Sequence, residues 1–178
     1  EACRQVAEWG RSGMRMRVAI NLSVHQLRET GLAERIAHAL EYHGVDASQL
    51  LCEITETVAM EDIKATQRTF EGLARIGVYL SIDDFGTGYS SLLRLKRLPV
   101  HKLKIDQGFV AGLPEDEDDA AITRAIIALS HSLGLAVVAE GIESPAQAAL
   151  LARYGCGLGQ GYWFGRPLPA KEMDWRVR

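Results

Sequence analysis

The sequence predicts an α/β fold, a (β/α)8 barrel of the TIM type, with about six of the eight βα units present in 178 residues. Short β-rich runs alternate with helical patterns along the chain, which is the order of an α/β protein. The runs are nearly continuous in Val, Ile and Leu, as expected of parallel strands covered on both faces. A polar residue falls at or near the carboxyl end of each run: Asn21, Glu53, Asp83, Lys104, Glu140 and Gln160.

Six runs predict strands because they are short, rich in β-branched residues and separated by helical patterns. They span residues 17–23, 50–55, 78–85, 101–106, 135–142 and 157–164. Their polar ends recur roughly 20 to 35 residues apart, which is the length of one strand-plus-helix unit.

Helical patterns fill the segments between the runs. The first, residues 1–13, reads as a helix already in progress. Three more place apolar residues at helical spacing and end at a glycine. They are Leu32, Ile36 and Leu40 before Gly44; Ile63, Phe70 and Leu73 before Gly77; and Ile122, Ile126, Leu129 and Leu133 before Gly134. The clearest helix begins at an N-cap, Ser144, with Pro145 in its first turn and Gln147 completing a capping box.

An open, doubly wound sheet competes with the barrel for the same local pattern. Receiver domains of that class carry an acidic pair at a strand end and bind magnesium, so Asp83 or Asp84 would then be a phosphorylation site. An open sheet, however, concentrates its ligands at one switch point and leaves its outer strands without them. Polar residues at the ends of all six runs favour the closed arrangement, in which every strand end faces one axis.

Composition excludes several classes of function. The chain is 47% hydrophobic and 24% charged with a net charge of −3 and no basic block, so a nucleic-acid duplex is not an expected partner. Cys3, Cys52 and Cys156 are odd in number and widely spaced, which suggests neither a disulfide framework nor a zinc site. No run of 18 residues is continuously apolar, so we expect no membrane segment in this chain and a cytoplasmic location, alone or within a larger membrane-anchored sensor.

Adjacent carboxylates mark the end of the third run, in the segment LSIDDFGTGYSSL (80–92). Asp83 and Asp84 repel each other unless a cation lies between them. The other polar strand ends add carboxylate and amide oxygens but no His or Cys, a set that suits Mg²⁺ or Mn²⁺. Two such ions about 3.5–4 Å apart would remove the repulsion, and sites of this kind mostly cleave or transfer phosphate esters.

Six segments together resemble the signature segments of the EAL-type cyclic-di-GMP phosphodiesterase family, in the order and at the spacing of that family. They are NLSVHQL (21–27), CEITET (52–57), IDDFGTGYSSL (82–92), LKIDQGFV (103–110), VVAEGIES (137–144) and GCGLGQGYWFGRPLP (155–169). The resemblance implies a modified (β/α)8 barrel that hydrolyses cyclic di-GMP to linear pGpG with two magnesium or manganese ions.

The resemblance also implies roles for individual residues. Asn21, Glu53 and Asp83 would be metal ligands with Asp83 bridging, and Asp84 and Glu140 would serve the second metal.

Three further residues receive roles from the same resemblance. Lys104 would hold the attacking water, Gln160 would position substrate or water, and Glu56 would anchor the loop that follows the acidic pair. That loop, Asp84 to Ser91, is associated with metal binding and with homodimer contacts in the family.

Some residues keep two interpretations. Asp106 and Glu143 each precede a helical pattern, so each is either a site residue or a residue that caps a helix or interacts with its dipole. Four aromatic residues either stack on guanine or pack in a core or interface; they are Tyr89, Tyr162, Trp163 and Phe164.

Two features depart from the family pattern. Gly157 stands where an aspartate is expected, and no Glu-Ala-Leu strand precedes Glu1. We therefore expect residues 1–178 to be a single barrel domain that is incomplete at its N-terminus by two βα units and weakly active alone. A non-catalytic domain that binds cyclic di-GMP as an effector is the alternative function.

Overall fold

One parallel sheet organises the computed structural model, which describes residues 1–60, 64–88 and 91–172. Its six strands are β1 (Val18–Asn21), β2 (Leu50–Thr55), β3 (Tyr79–Phe85), β4 (Lys102–Ile105), β5 (Ala136–Ala139) and β6 (Leu158–Gly159). Each predicted run contains one of these strands. Neighbouring strands are all parallel, as continuously apolar runs require.

The order of the strands decides between the two α/β architectures. Within the described residues it is β1-β2-β3-β4-β5-β6, the order in which the chain makes them. A doubly wound sheet reverses direction at a switch point, whereas a barrel adds each strand beside the last. The sheet thus has the winding of a barrel, with β1 and β6 at its two edges. The open-sheet alternative, with its receiver-like function, is wrong.

Nine α-helices lie within the described parts of the chain. They are α1 (Ala2–Arg11), α2 (Val24–Arg28), α3 (Leu32–His43), α4 (Glu56–Ala59), α5 (Lys64–Ile76), α6 (Leu92–Leu95), α7 (Gln107–Ala111), α8 (Glu117–Ser132) and α9 (Pro145–Arg153). None of them is long and apolar enough to cross a membrane. The predicted helical position Ile63 falls outside the described residues.

The predicted helix ends are confirmed where the sequence carries a cap. At α9 the Ser144 hydroxyl accepts the N–H of Gln147, and the Gln147 side chain bonds back to the N-cap backbone. Gly44 ends α3 in the left-handed conformation, with φ 65°, which a residue without Cβ adopts at no steric cost.

The last predicted strand is much shorter than expected. Residues 160–164 do not continue β6 but turn around Ile142. The backbone carbonyl of Gln160 accepts the N–H of Ile142, and the backbone N–H of Trp163 donates to the carbonyl of Ile142. At Gly161 a Cβ would lie 2.1 Å from the Ile142 carbonyl oxygen, so only glycine allows this approach. The turn leaves Trp163 50% exposed and Phe164 62% exposed. The interpretation that these two side chains pack in the core of this chain is therefore wrong.

The apolar core lies between the sheet and its helices. Leu80, Ile82, Leu103 and Ile105 on the central strands are fully buried. Because side chains alternate along a strand, the residues between them face the other side of the sheet. Lys104 lies between two of these core residues and is therefore directed into the barrel, as its sequence position predicts.

All three cysteines are free and buried. Burial raises the pKa of the Cys52 thiol to about 12, and the neighbouring Cys3 adds to the rise. Because the thiolate is the reactive form, a raised pKa lowers the reactive fraction at neutral pH. We expect Cys52 of the native protein to resist iodoacetamide at about pH 8 and to react fully in guanidinium chloride. Mass spectrometry of digested protein measures this, and rapid alkylation of native Cys52 would contradict its burial.

Candidate active site

Lys104 lies at the centre of a cluster of carboxylates. Its Nζ is 2.7 Å from Oε1 of Glu140, 2.8 Å from Oδ1 of Asp83 and 3.2 Å from Oε2 of Glu53. Strands β2, β3 and β4 and the residue after β5 each supply one of these groups, because parallel strands present their carboxyl ends at the same edge. Glu53 and Lys104 are only 9% and 5% exposed. Buried charges of this kind persist only when they are paired.

The cluster shifts the pKa of its members. Burial by itself lowers the pKa of Lys104, but hydrogen bonds to Asp83 and Glu140 and the charges of Glu140 and Glu53 outweigh burial and raise it above its ordinary value. Burial raises the pKa of the Glu140 carboxyl to about 7; Lys104 opposes this rise and Asp83 adds to it. Lys104 therefore carries a positive charge at neutral pH.

A β-bulge brings both aspartates to the same side of the sheet. Ile82 pairs with Leu103 and Phe85 pairs with Ile105, so β3 has one residue more than β4 between these pairs. Asp84 adopts φ 52°, a left-handed conformation that is uncommon for a residue with a side chain. Without the bulge the carboxylates of successive residues would point to opposite faces.

The acids converge closely enough to hold a cation. One oxygen from each of Asp83, Asp84 and Glu140 lies within 4.8 Å of the other two. Burial raises the pKa of Asp84, and the charges of Asp83 and Asp106 raise it further. A positive ion among these oxygens would relieve the repulsion, and hard oxygen donors match the preference of Mg²⁺ or Mn²⁺. The donor set thus fits a divalent metal ion.

Glu56 contacts the loop that follows the acidic pair. It is the first residue of α4 and only 1% exposed. Its Oε2 accepts the N–H of Gly86 at 2.8 Å and of Gly88 at 3.1 Å. The carboxylate thus fastens the backbone immediately after Asp84. Tyr89 and Ser90, which belong to the predicted dimer loop, fall outside the described residues.

Gly86 has a steric reason to be glycine. Its φ is +108°, and a Cβ there would lie 2.7 Å from Cε2 of Phe109 and 3.1 Å from Cδ1 of Ile126. We expect Gly86→Ala to lower the free energy of unfolding by about 1–3 kcal/mol, measured by urea denaturation. The matched control is Gly157→Ala, where no heavy atom lies within 4 Å. Equal stability of the two variants would contradict the close packing of this loop.

The remaining predicted residues lie around the cluster. Asn21 is exposed at the end of β1 and is in register with Glu53 on β2. Gln160 lines a cavity of about 230 Å³ together with Asp84, Glu140 and Tyr162. Asn21 and Gln160 belong to opposite edges of the sheet, since Asn21 ends β1 and Gln160 follows β6.

Two acids whose roles the sequence leaves open also line this cavity. Asp106 caps α7 by accepting the N–H of Gly108 at 2.8 Å, which confirms its capping role. The same residue and Glu143 border the cavity beside Asp84. The position of Asp106 directly after β4 could have indicated that it borders the site, because the other site residues also lie at or near the carboxyl ends of strands.

Comparison with known proteins assigns the family. The sequence profile of the EAL domain matches residues 1–167. The chain belongs to the EAL domain family. This EAL domain is 49% identical over 174 residues to the bifunctional diguanylate cyclase/cyclic di-GMP phosphodiesterase MucR of Pseudomonas aeruginosa, covering 97% of this chain and 25% of MucR. It thus spans about a quarter of the length of that relative.

Solved structures of similar sequence share the fold. The MucR phosphodiesterase in complex with c-di-GMP superposes with a TM-score of 0.92 at 49% identity, over 96% of this chain and 70% of that one. The EAL domain of Mycobacterium smegmatis DcpA gives a TM-score of 0.90 at 42% identity, over 96% and 78%. BlrP1 of Klebsiella pneumoniae, solved with manganese and c-di-GMP, gives 0.85 at 30% identity, over 93% and 42%. These matches confirm the barrel-type fold of the EAL domain.

Proposed function

We propose that this EAL domain hydrolyses cyclic di-GMP to linear pGpG with two divalent cations, Mg²⁺ or Mn²⁺. The observation that carries the proposal is the convergence of Asp83, Asp84 and Glu140 oxygens within 4.8 Å beside a buried, charged lysine. The c-di-GMP complex of the MucR phosphodiesterase and the manganese complex of BlrP1 support the substrate and the metal.

The proposed ligands fall into two groups. Asn21, Glu53 and Asp83 would hold one ion, with Asp83 bridging, and Asp84 and Glu140 would hold the other. When bound, the ions supply a water of lowered pKa and neutralise charge on the phosphate. Three features would hold the ligand carboxylates together. They are the bulge in β3, the burial of Glu53 and the bonds from Glu56 to the loop after Asp84.

Other residues would orient the reactants. Lys104 would hold the attacking water by donating an N–H to its oxygen, and Gln160 would position the substrate from the side of the cavity. Hydrolysis adds one water across one P–O bond, so one P–O bond forms and one breaks. Glu56 would act through the loop, and we treat it as a positioning residue.

Turnover of cyclic di-GMP tests the proposal directly. Purified protein with Mg²⁺ or Mn²⁺ is expected to yield pGpG, detected by chromatography, and EDTA is expected to abolish the product. Titration calorimetry of cyclic di-GMP in the presence and absence of metal identifies the alternative. Binding in EDTA without turnover at any metal concentration would refute the enzyme and support an effector.

We also propose that the loop 84–91 forms a homodimer contact. The residues that follow it support this, because Leu92 and Leu93 are 56% and 62% exposed, and exposed leucines beside a loop suit an interface. Sedimentation of the protein and of Leu93→Asp tests the contact. A wild-type protein that stays monomeric at all concentrations would contradict it.

A further inference from the structure

Lys104 bonds the same carboxylates that would bind metal. An ammonium group has three N–H donors, and Nζ of Lys104 lies 2.7, 2.8 and 3.2 Å from three carboxylate oxygens. Two of its partners, Asp83 and Glu140, belong to the group of acids whose oxygens converge within 4.8 Å. The lysine therefore supplies part of the positive charge that this group of acids requires.

A divalent ion and the ammonium group compete for these oxygens. A magnesium, manganese or calcium ion lies roughly 2.0–2.6 Å from its oxygen ligands. An ion bound that closely to Asp83 and Glu140 would lie near Nζ, which is only 2.8 and 2.7 Å from those carboxylates. Two positive centres at such separation repel strongly in a buried site.

We infer that Lys104 is an internal counter-cation that lowers the metal affinity of the acidic cluster and is displaced from at least one carboxylate when metal binds. This rests on the metal site of the proposed function. Displacement leaves an N–H of Lys104 unpaired, which makes it available to a water. A monovalent ion brings no more charge than the ammonium it displaces, so the lysine also favours divalent ions.

Variants at this position separate charge from shape. Lys104→Gln removes the charge and keeps a polar side chain, whereas Lys104→Arg keeps the charge. The matched control is Lys102→Gln, two residues earlier on β4 and on the same face of the strand. Among the described residues Lys102 forms no ion pair with a carboxylate, and it is half-buried.

Metal binding and thermal unfolding are the measurements. For Lys104→Gln we expect Mn²⁺ to bind about tenfold more tightly than to wild type, by titration calorimetry in the absence of nucleotide. In EDTA the same variant is expected to unfold at a lower temperature than wild type, and Mn²⁺ is expected to restore it. Lys104→Arg and Lys102→Gln should bind Mn²⁺ within about twofold of wild type.

Each outcome decides the inference. Unchanged or weaker Mn²⁺ binding by Lys104→Gln, or unchanged stability in EDTA, would overturn it. If Lys104→Gln folds only with metal, the rate at which it releases Mn²⁺ to a chelator should be lower than the rate for wild type. Equal release rates would overturn the inference. Wild-type turnover of cyclic di-GMP is assayed in parallel: its absence refutes the proposed function, while the order of Mn²⁺ affinities still decides the role of Lys104.

Discussion

Replacing Glu53 by glutamine is expected to reduce turnover of cyclic di-GMP by roughly a hundredfold or more. The substitution keeps the shape of a buried side chain that is 9% exposed and removes its negative charge. One anionic ligand is then lost from the metal site, and the stabilisation of charge on the phosphate falls with it. Turnover at saturating Mn²⁺ and the affinity for Mn²⁺ are both measured, and both are expected to decrease.

Glu41→Gln is the control for this prediction, since it makes the same chemical change at an exposed position on α3. Circular dichroism establishes that each variant is folded. The fold should survive Glu53→Gln because Lys104 keeps its contacts with Asp83 and Glu140. Near-normal turnover by Glu53→Gln at saturating metal would refute the assignment of Glu53 as a ligand.

Replacing Glu56 by alanine is expected to cost about 3 kcal/mol of folding stability and to lower turnover roughly tenfold to a hundredfold. The change leaves the N–H groups of Gly86 and Gly88 without the carboxylate oxygen that accepts both. The loop they belong to follows Asp84 directly, so its release loosens the position of that acid. Urea denaturation gives the stability, and initial rates give the turnover.

Glu56→Gln separates the hydrogen bonds from the charge. Its amide oxygen still accepts an N–H, so its loss of stability and of turnover should lie between those of wild type and Glu56→Ala. If Glu56→Ala has the same free energy of unfolding and the same rate of cyclic di-GMP turnover as wild type, the loop does not depend on this side chain. The positioning role of Glu56 is then wrong.

Local patterns were sufficient for most of the secondary structure. Capping boxes and terminal glycines act through the nearest few residues, and so the start of α9 at Ser144 and the end of α3 at Gly44 were predicted correctly. The predicted strand at residues 157–164 was wrong beyond Gly159 because a contact with Ile142, distant in sequence, overrides the local tendency to extend.

The site was predictable in composition and less so in geometry. Parallel strands of a barrel must bring their carboxyl ends together, so the polar residue at each strand end predicted that Glu53, Asp83 and Lys104 would meet. The resemblance to EAL domains supplied the roles. Asp106 remained ambiguous because one carboxylate both caps a helix and borders the cavity, and the sequence around it marks only the cap.

The sequence by itself determined the fold class, the order of its elements, the family and the acidic character of the site, since these follow from periodicity, caps and motif spacing. Only the tertiary structure decided which oxygens converge. The bulge in β3 turns Asp84 to the side of the sheet on which Asp83 lies. This bulge exists only because β3 pairs with β4, which has one residue fewer there. The three bonds of Lys104 likewise depend on distances between strands that are up to 51 residues apart in sequence. Which atoms meet depends on the strand register and on the bulge in β3, and both arise from pairing between strands that are distant in sequence.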